Sequence, residues 1–568
     1  MSLALDRRED GWFLDGAKLP GIDVEATQAF RQYGYWADRT IGDLIEDAGR
    51  KWPQDIALAV GDRRVTYEQV DRLSSRFALG LLDVGLRSGD MIAVQLPNSI
   101  EHLLTIVAIA KIGAVCNIVV PLMREMEVTN ILKHCGSKAI VIPSEYAKFD
   151  YLSMIDQLSS DLPSLETVIV VGDVEPRSDV FGFDDLLEGA PNKDYPSDEL
   201  RRHRPDPDDI SLVGFTSGTT ATPKAYLHTH NTEFANSFNC LLADSYRLMK
   251  KPTVNIALPG FAWMYGRWCC LLSGALDGAT NVVVDPFSPA GVIETIAREK
   301  PTHIHGAPAI YHVLMDGILE LHESGALSLE AFHYAGSVMP FEMARRLRDA
   351  AQLLTCYGLS EISPVCGNSI MDSPDAQIRS SGRPAWGNRV ALMGTDHERV
   401  AIGEEGEIAV RGPGLTLGYF NQPEANSQAF VEDGFFLTGD LGYFDEANNL
   451  NITGRSKDVI DRGGIKFSPR EVEELLLGHR SIANAAVVGM PDAKLGERSC
   501  AFVVAEEGST IELDEAVKFL KDKGLATHKL PERLEIIEQL PVTATGKVQK
   551  YRLRQRVTDQ LRDGAATE

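Results

Sequence analysis

From Val70 to Tyr357 the chain alternates helical periodicity with short unbroken apolar runs, and few folds accommodate that alternation. Val70, Leu73, Phe77, Leu81 and Val84 recur at helical spacing, and an apolar run at 91–96 follows. The pattern then predicts a helix over 100–111, a strand over 115–120, a helix over 128–134 and a strand over 138–142. Strands that are apolar along their whole length are buried on both faces, which calls for parallel pairing under a cover of helices. The same alternation continues through runs at 254–258, 281–285, 333–335 and 353–357.

The texture changes after about Arg379. Runs at 389–394, 406–411 and 450–454 are short and broken by Gly, Asn and Asp, as in a β-rich subdomain. Beyond Arg455 the pattern predicts helix 469–477, strands 485–488 and 501–505, and helix 513–523. The expected architecture is α/β: a large N-terminal body (1–456) of parallel α/β sheets plus a β-rich subdomain, with a small, mobile C-terminal α+β lid (457–568). The start of the chain reads as irregular, and 551–568 as a terminal helix or a frayed end. No linker is flexible by composition, so motion is expected at a point hinge.

At 568 residues and 44% hydrophobic, the chain has the material for more than one core. Its net charge of −25 argues against nucleic acid or anionic membrane as partners. Eight cysteines without CxxC spacing suit a reducing, cytoplasmic setting, and polar residues 1–10 predict no secretory leader. Segment 103–123 has the length of a membrane span, but Lys111 lies in its middle. It is read as a buried helix, a turn at Gly113 and a core strand, so no integral membrane span is expected.

Residues 215–225 read FTSGTTATPKA, with five hydroxyl side chains ahead of a Pro-Lys pair. Thr216, Ser217, Gly218, Thr219, Thr220 and Lys224 would form a cradle for a polyphosphate. Alone, the stretch leaves a Ser/Thr-rich hairpin turn as the lesser alternative. Cys356 to Glu361, CYGLSE, follows a predicted strand and so falls where open α/β sheets bind ligands. Tyr357 can stack on a purine, Gly358 admits close backbone, and Glu361 offers a hard oxygen to Mg²⁺, or else a charge at a helix start.

These motifs resemble, in order, those of the adenylate-forming enzymes: acyl-CoA synthetases, stand-alone adenylation domains and luciferases. CYGLSE is similar to that family's Tyr-Gly-x-Thr-Glu motif, with Ser360 for threonine. Gly336-Ser337 in GSVMP matches its adenine-side turn, otherwise a plain strand-to-helix turn. Asp440 in GFFLTGD matches its ribose motif. GRSKD, fifteen residues later, supplies Arg455 for the ribose and Lys457 as the hinge, though such a stretch alone reads as a solvated turn. Gly463-Gly464 resembles the lid strand beside the pantetheine arm of CoA ligases. PVTATGK resembles the loop bearing the catalytic lysine, here Lys547, with Val542 where arginine is usual. The block from Gly406 to Tyr419 matches a further family block, taken as structural.

The resemblance, from near Thr40 to Lys547, implies ATP, Mg²⁺ and CoA as cofactors and a small-molecule carboxylic acid as substrate. The implied chemistry is formation of acyl-AMP followed by transfer to a thiol, with the lid exchanging faces about Lys457. Ala221 and Ala225 stand where family loops most often have glycine, which raises the reading of an enzyme weak in adenylation that works mainly on supplied acyl-AMP. Segment 258–266 carries Phe261, Trp263, Met264 and Tyr265, which suggests an apolar acyl site, with core packing an equal reading for any one. Segment 30–36 resembles aryl-acid enzymes that load a carrier protein, the alternative acceptor. A non-catalytic binding relative is disfavoured by Lys224, Glu361, Asp440 and Lys547 together.

Overall fold

The computed structural model describes residues 5–8, 11–175, 177–189, 198–216, 223–243, 252–492, 494–542 and 548–565. Among them, the α/β alternation resolves into two large sheets. The first runs in the spatial order Val180–Gly182, Thr167–Val171, Ala139–Pro143, Met91–Val94, Val115–Ile118, Ile210–Phe215 and Ala225–Thr229. All its pairings are parallel except the last.

The second sheet places Gln352–Leu359, Ala331–Tyr334, His303–Gly306, Val254–Ala257, Thr280–Val283 and Ile56–Val60 side by side in parallel, with antiparallel strands at each margin. The start of the chain is therefore not irregular. Helices Val24–Gln32 and Ile41–Lys51 precede Ile56–Val60, which is inserted beside Thr280–Val283. That pairing joins segments far apart in sequence, which local periodicity cannot register.

Helix Ile100–Lys111 lies where its pattern predicts, started by Ser99, whose hydroxyl accepts from the His102 amide at 3.1 Å. It is apolar all round because it is buried all round, packed against helices Tyr67–Asp83 and Ile41–Lys51. Lys111 is itself buried, and its ammonium donates to the Asp71 carboxylate at 2.6 Å and to Ser75 Oγ at 2.7 Å. Gly113 turns the chain and Val115–Ile118 enters the sheet. No helix among the described residues is long and apolar enough to cross a membrane.

An antiparallel sheet of Arg389–Met393, Gly406–Arg411, Phe436–Phe444 and Leu450–Arg455 forms the β-rich subdomain. The C-terminal unit has its own sheet, with Gly496–Ala505 at its centre, paired with Ile482–Asp492 on one side and with Ile460–Arg462 and Arg533–Ile536 on the other. Helices Pro469–Leu476 and Leu513–Asp522 pack on one face around Val472, Leu476 and Leu520. Helix Lys550–Ala565 covers the other through Leu553 and Val557. The tail is thus helical as far as Ala565.

Candidate functional site

Strands Phe436–Phe444 and Gly406–Arg411 lose register at the Thr-Gly-Asp triplet. Glu407 faces Leu441 and Ala409 faces Leu437, so Ile408 stands opposite three residues, Thr438 to Asp440. Gly439 has φ +74°, which only glycine holds cheaply, and its amide donates to Glu407 Oε1 at 3.0 Å. The bulge turns Asp440 toward the neighbouring strand Leu450–Arg455. There Arg455 Nε donates to Asp440 Oδ1 at 2.7 Å, while the Tyr357 hydroxyl donates to Oδ2 at 2.9 Å. Asp440 is 7% exposed and held from both sides. Burial pushes the Tyr357 phenol well up, with the Asp440 charge adding to it.

Glu361 and Ser360 form the two-residue turn of the hairpin that joins Gln352–Leu359 to Ile362–Gly367. The Glu361 carboxyl is 6% exposed and accepts from the Tyr419 hydroxyl at 2.7 Å. Burial pushes its pKa up; the Tyr419 hydrogen bond and the charges of Lys224 and Arg455 pull it back. The turn is fixed from beneath, where the buried His228 Nε2 lies 2.9 Å from the Ser360 carbonyl. The Thr416 amide donates to the Glu361 carbonyl at 2.7 Å.

Residues 217–222 of the hydroxyl-rich loop, with Ser217, Gly218, Thr219, Thr220 and Ala221, lie outside the described residues. The flanking residues are paired: the Thr216 amide donates to the Lys224 carbonyl at 2.9 Å. The Lys224 ammonium sits 4.9 Å from the centre of the Tyr419 ring. Tyr419 therefore touches both Glu361 and the loop lysine, a role its reading as part of a structural block missed. His228 was missed as well. Ala225 begins strand Ala225–Thr229, pairs with Phe215 and is completely buried. Its φ is not positive, so the backbone there does not ask for glycine.

Gly336 and Ser337 form an exposed turn after strand Ala331–Tyr334. Gly358 packs against Ser363, whose Oγ lies 2.6 Å from where a Cβ would stand. The acyl segment divides. Phe261 is enclosed, its amide donating to Asn98 Oδ1 at 2.7 Å, and Met264 is buried in the same core. Trp263 and Tyr265 are half-buried, and Tyr265 opens a π-helical stretch, Tyr265–Leu272. Arg267 within that stretch is buried against Glu233 of helix His230–Ala243, with Nε to Oε2 at 2.5 Å.

Lys457 is exposed in a 3₁₀ turn, Ser456–Asp458, between the last strand of the β-rich sheet and the first of the C-terminal unit. Its carbonyl accepts from Arg554 Nη1 at 3.1 Å. Gly463 and Gly464, φ +66° and +88°, make the exposed two-residue turn between Ile460–Arg462 and Ile465–Phe467. Lys547 lies outside the described residues, as do 543–546. Val542 and Val548 on either side pair with each other, and the Gln549 amide donates to the Pro541 carbonyl at 2.8 Å.

The family model described as AMP-binding enzyme matches residues 45–420, and that of the AMP-binding enzyme C-terminal domain matches 471–547. The chain is 33% identical to the medium-chain fatty-acid–CoA ligase of Escherichia coli K12, over 95% of this chain and 94% of that one. It is 31% identical to the 2,3-dihydroxybenzoate-AMP ligase of Bacillus subtilis 168, over 95% and 98%. Among solved structures, the anthranilate CoA ligase AuaEII in complex with anthranoyl-AMP superposes with a TM-score of 0.80 at 25% identity, covering 94% of this chain and 98% of that one.

Proposed function

The chain belongs to the AMP-binding enzyme family, and from that premise we propose that it is an acyl-CoA ligase acting on an apolar carboxylic acid. One observation supports this reading: the Tyr419 hydroxyl meets Glu361 at 2.7 Å while its ring centre lies 4.9 Å from the Lys224 ammonium, and Tyr357, on the strand that leads to Glu361, bonds to Asp440 opposite Arg455. A phosphate cation, a metal-type carboxylate and a diol-type carboxylate thus share one site.

Lys224, with Thr216, Ser217, Gly218, Thr219 and Thr220, holds the β- and γ-phosphates of ATP. Asp440 accepts from the ribose hydroxyls and Arg455 orients it. Gly336, Ser337, Tyr357, Gly358 and Ser360 border the adenine. Glu361 is a nearly enclosed hard-oxygen donor whose burial disfavours its charge, so an adjacent divalent cation suits it, and Mg²⁺ fits. Bound there, Mg²⁺ supplies neutralisation of phosphate charge.

Lys547 neutralises the approaching carboxylate and the α-phosphate. The acid's oxygen bonds to the α-phosphorus, the bond to the bridging oxygen breaks, and pyrophosphate leaves. The C-terminal unit then turns about Lys457, withdrawing Lys547 and bringing Gly463 and Gly464 beside the pantetheine arm. The thiol, losing its proton, attacks the acyl carbonyl and AMP departs. The half-buried Trp263 and Tyr265 form the acyl end, with Phe261 and Met264 packed in the core behind them, and segment 258–266 offers no carboxylate to an ammonium.

A carrier-protein thiol is the second acceptor to consider. It is favoured by the likeness to a 2,3-dihydroxybenzoate-AMP ligase and by the aromatic segment around Trp36, whose indole Nε1 donates to the Pro413 carbonyl at 2.8 Å. A panel of acids with ATP, Mg²⁺ and CoA, following pyrophosphate and thioester separately, tests both. Thioester with apolar acids is expected. Pyrophosphate release without thioester transfers the reading to a carrier, and no pyrophosphate with any acid removes it.

A further inference from the structure

Three thiols from three separate elements converge beside this site without a part in the chemistry above. Cys240 comes from helix His230–Ala243, Cys269 from the π-helical stretch Tyr265–Leu272, and Cys356 from strand Gln352–Leu359, one residue before Tyr357. Their sulfurs all lie within 4.8 Å of one another, with Cys240 and Cys269 at 2.9 Å. Each residue is less than a tenth exposed. Polar company is sparse: Cys356 Sγ is 3.5 Å from Ser363 Oγ, and Cys240 Sγ is 3.9 Å from the Ser363 carbonyl.

Buried cysteines often act as small apolar side chains, and each of the other five is also buried and reduced. What sets this trio apart is convergence. A cation with metal–sulfur bonds of about 2.3 Å holds three sulfurs roughly 4 Å apart, so the trio would take one after a shift of about 1 Å between Cys240 and Cys269. Hydrogen bonds from Cys240 and Cys269 draw the Cys356 thiol well below its ordinary value, while burial pushes those two up. The Tyr265 hydroxyl, at the start of the π-helical stretch that carries Cys269, is buried without a hydrogen-bond partner. Donation to a bound thiolate would satisfy it and spread the negative charge.

We propose that Cys240, Cys269 and Cys356 form a three-thiolate site for one soft, thiophilic metal ion. Binding a divalent ion displaces up to three thiol protons to solvent and leaves all three sulfurs as thiolates, with no change in oxidation state. The site does not depend on the ligase reading, because its occupancy is read without turnover.

The test is titration of the reduced, metal-free full chain with Cd²⁺. The expected result is a near-ultraviolet sulfur-to-cadmium band saturating at one equivalent, with ¹¹³Cd resonance or X-ray absorption reporting three sulfurs. Cys240→Ser and Cys269→Ser should each weaken binding at least tenfold, while Cys135→Ser and Cys500→Ser leave it unchanged. No band at one equivalent, a sulfur count other than three, or full binding by folded Cys240→Ser or Cys269→Ser overturns the site. If those two variants fail to fold, the sulfur count in the wild-type chain and binding by the Cys135→Ser and Cys500→Ser controls decide it.

Discussion

The Tyr419 hydroxyl donates a 2.7 Å hydrogen bond to Glu361, across 58 residues of sequence, and the Lys224 ammonium sits 4.9 Å from the centre of the same ring. One phenol therefore contacts both a buried carboxyl and the loop lysine. It stabilises the charged form of a group whose burial favours the neutral one.

Tyr419→Phe removes that donor and keeps the ring under Lys224. The Glu361 pKa then rises further, so the acid limb of the pH profile for adenylation moves to higher pH. Activity at neutral pH should fall roughly tenfold, the equivalent of one lost hydrogen bond to a charged group of about 1.4 kcal/mol. Pyrophosphate release measured from pH 5 to 9 checks this. An unchanged acid limb would show that Tyr419 does not govern Glu361.

Ala225→Gly addresses the suspicion that alanine here weakens adenylation. Ala225 has ordinary strand geometry and a buried Cβ, so glycine relieves no strain. The substitution should leave ATP–pyrophosphate exchange within about twofold and lower stability by about 1 kcal/mol. A large gain in exchange would reinstate the suspicion.

The strands and helices of the body are legible because their periodicity is local: helix Ile100–Lys111 was readable from Leu103, Leu104 and Val107 alone. The order of the strands within the two sheets was not, because Ile56–Val60 finds its neighbour Thr280–Val283 only after more than 200 intervening residues. Helix His230–Ala243 shows the same limit in side chains. Its sequence, HNTEFANSFNCLLA, is polar, yet Thr232, Glu233, Asn236 and Ser237 are buried. Glu233 pairs with Arg267, while Asn236 bonds to the Gly414 carbonyl and the Ser363 amide. Tyr419 was visible as part of a motif, but nothing local pointed it at Glu361. Motif spacing singled out Glu361 and Asp440; the hydroxyls that bond to them, Tyr419 and Tyr357, come from distant segments.

Three histidines predict how stability responds to acid. Burial lowers His102, His228 and His230 each to about 4, so they remain neutral in the fold well below the ordinary value of 6.5. The unfolded chain takes up their protons from about pH 6.5 downward, and the folded chain only near pH 4. Their contribution is thus complete above pH 6.5 and is lost as pH falls from 6.5 toward 4, by up to about 3 kcal/mol per histidine. Urea midpoints should fall steeply across that window, with net proton uptake on unfolding at pH 5.5. A flat midpoint from pH 6.5 to 5 would contradict buried neutral rings.

The last prediction concerns the hinge. Arg554, on helix Lys550–Ala565, donates to the Lys457 carbonyl at 3.1 Å, so the terminal helix of the C-terminal unit grips the turn about which that unit is proposed to swing. The contact is exposed and a single bond, worth about 0.5–1.5 kcal/mol. Among the described residues Arg554 bonds to none assigned to ATP or acid, so Arg554→Ala should leave the KM for ATP unchanged. It should instead alter the balance between the two lid positions. The ratio of thioester formation from supplied acyl-AMP to pyrophosphate release should change two- to tenfold, which single-turnover measurements of each half-reaction resolve. Equal changes in both half-reactions would mean that Arg554 supports the unit's fold alone, and that the 3.1 Å contact has no bearing on its motion.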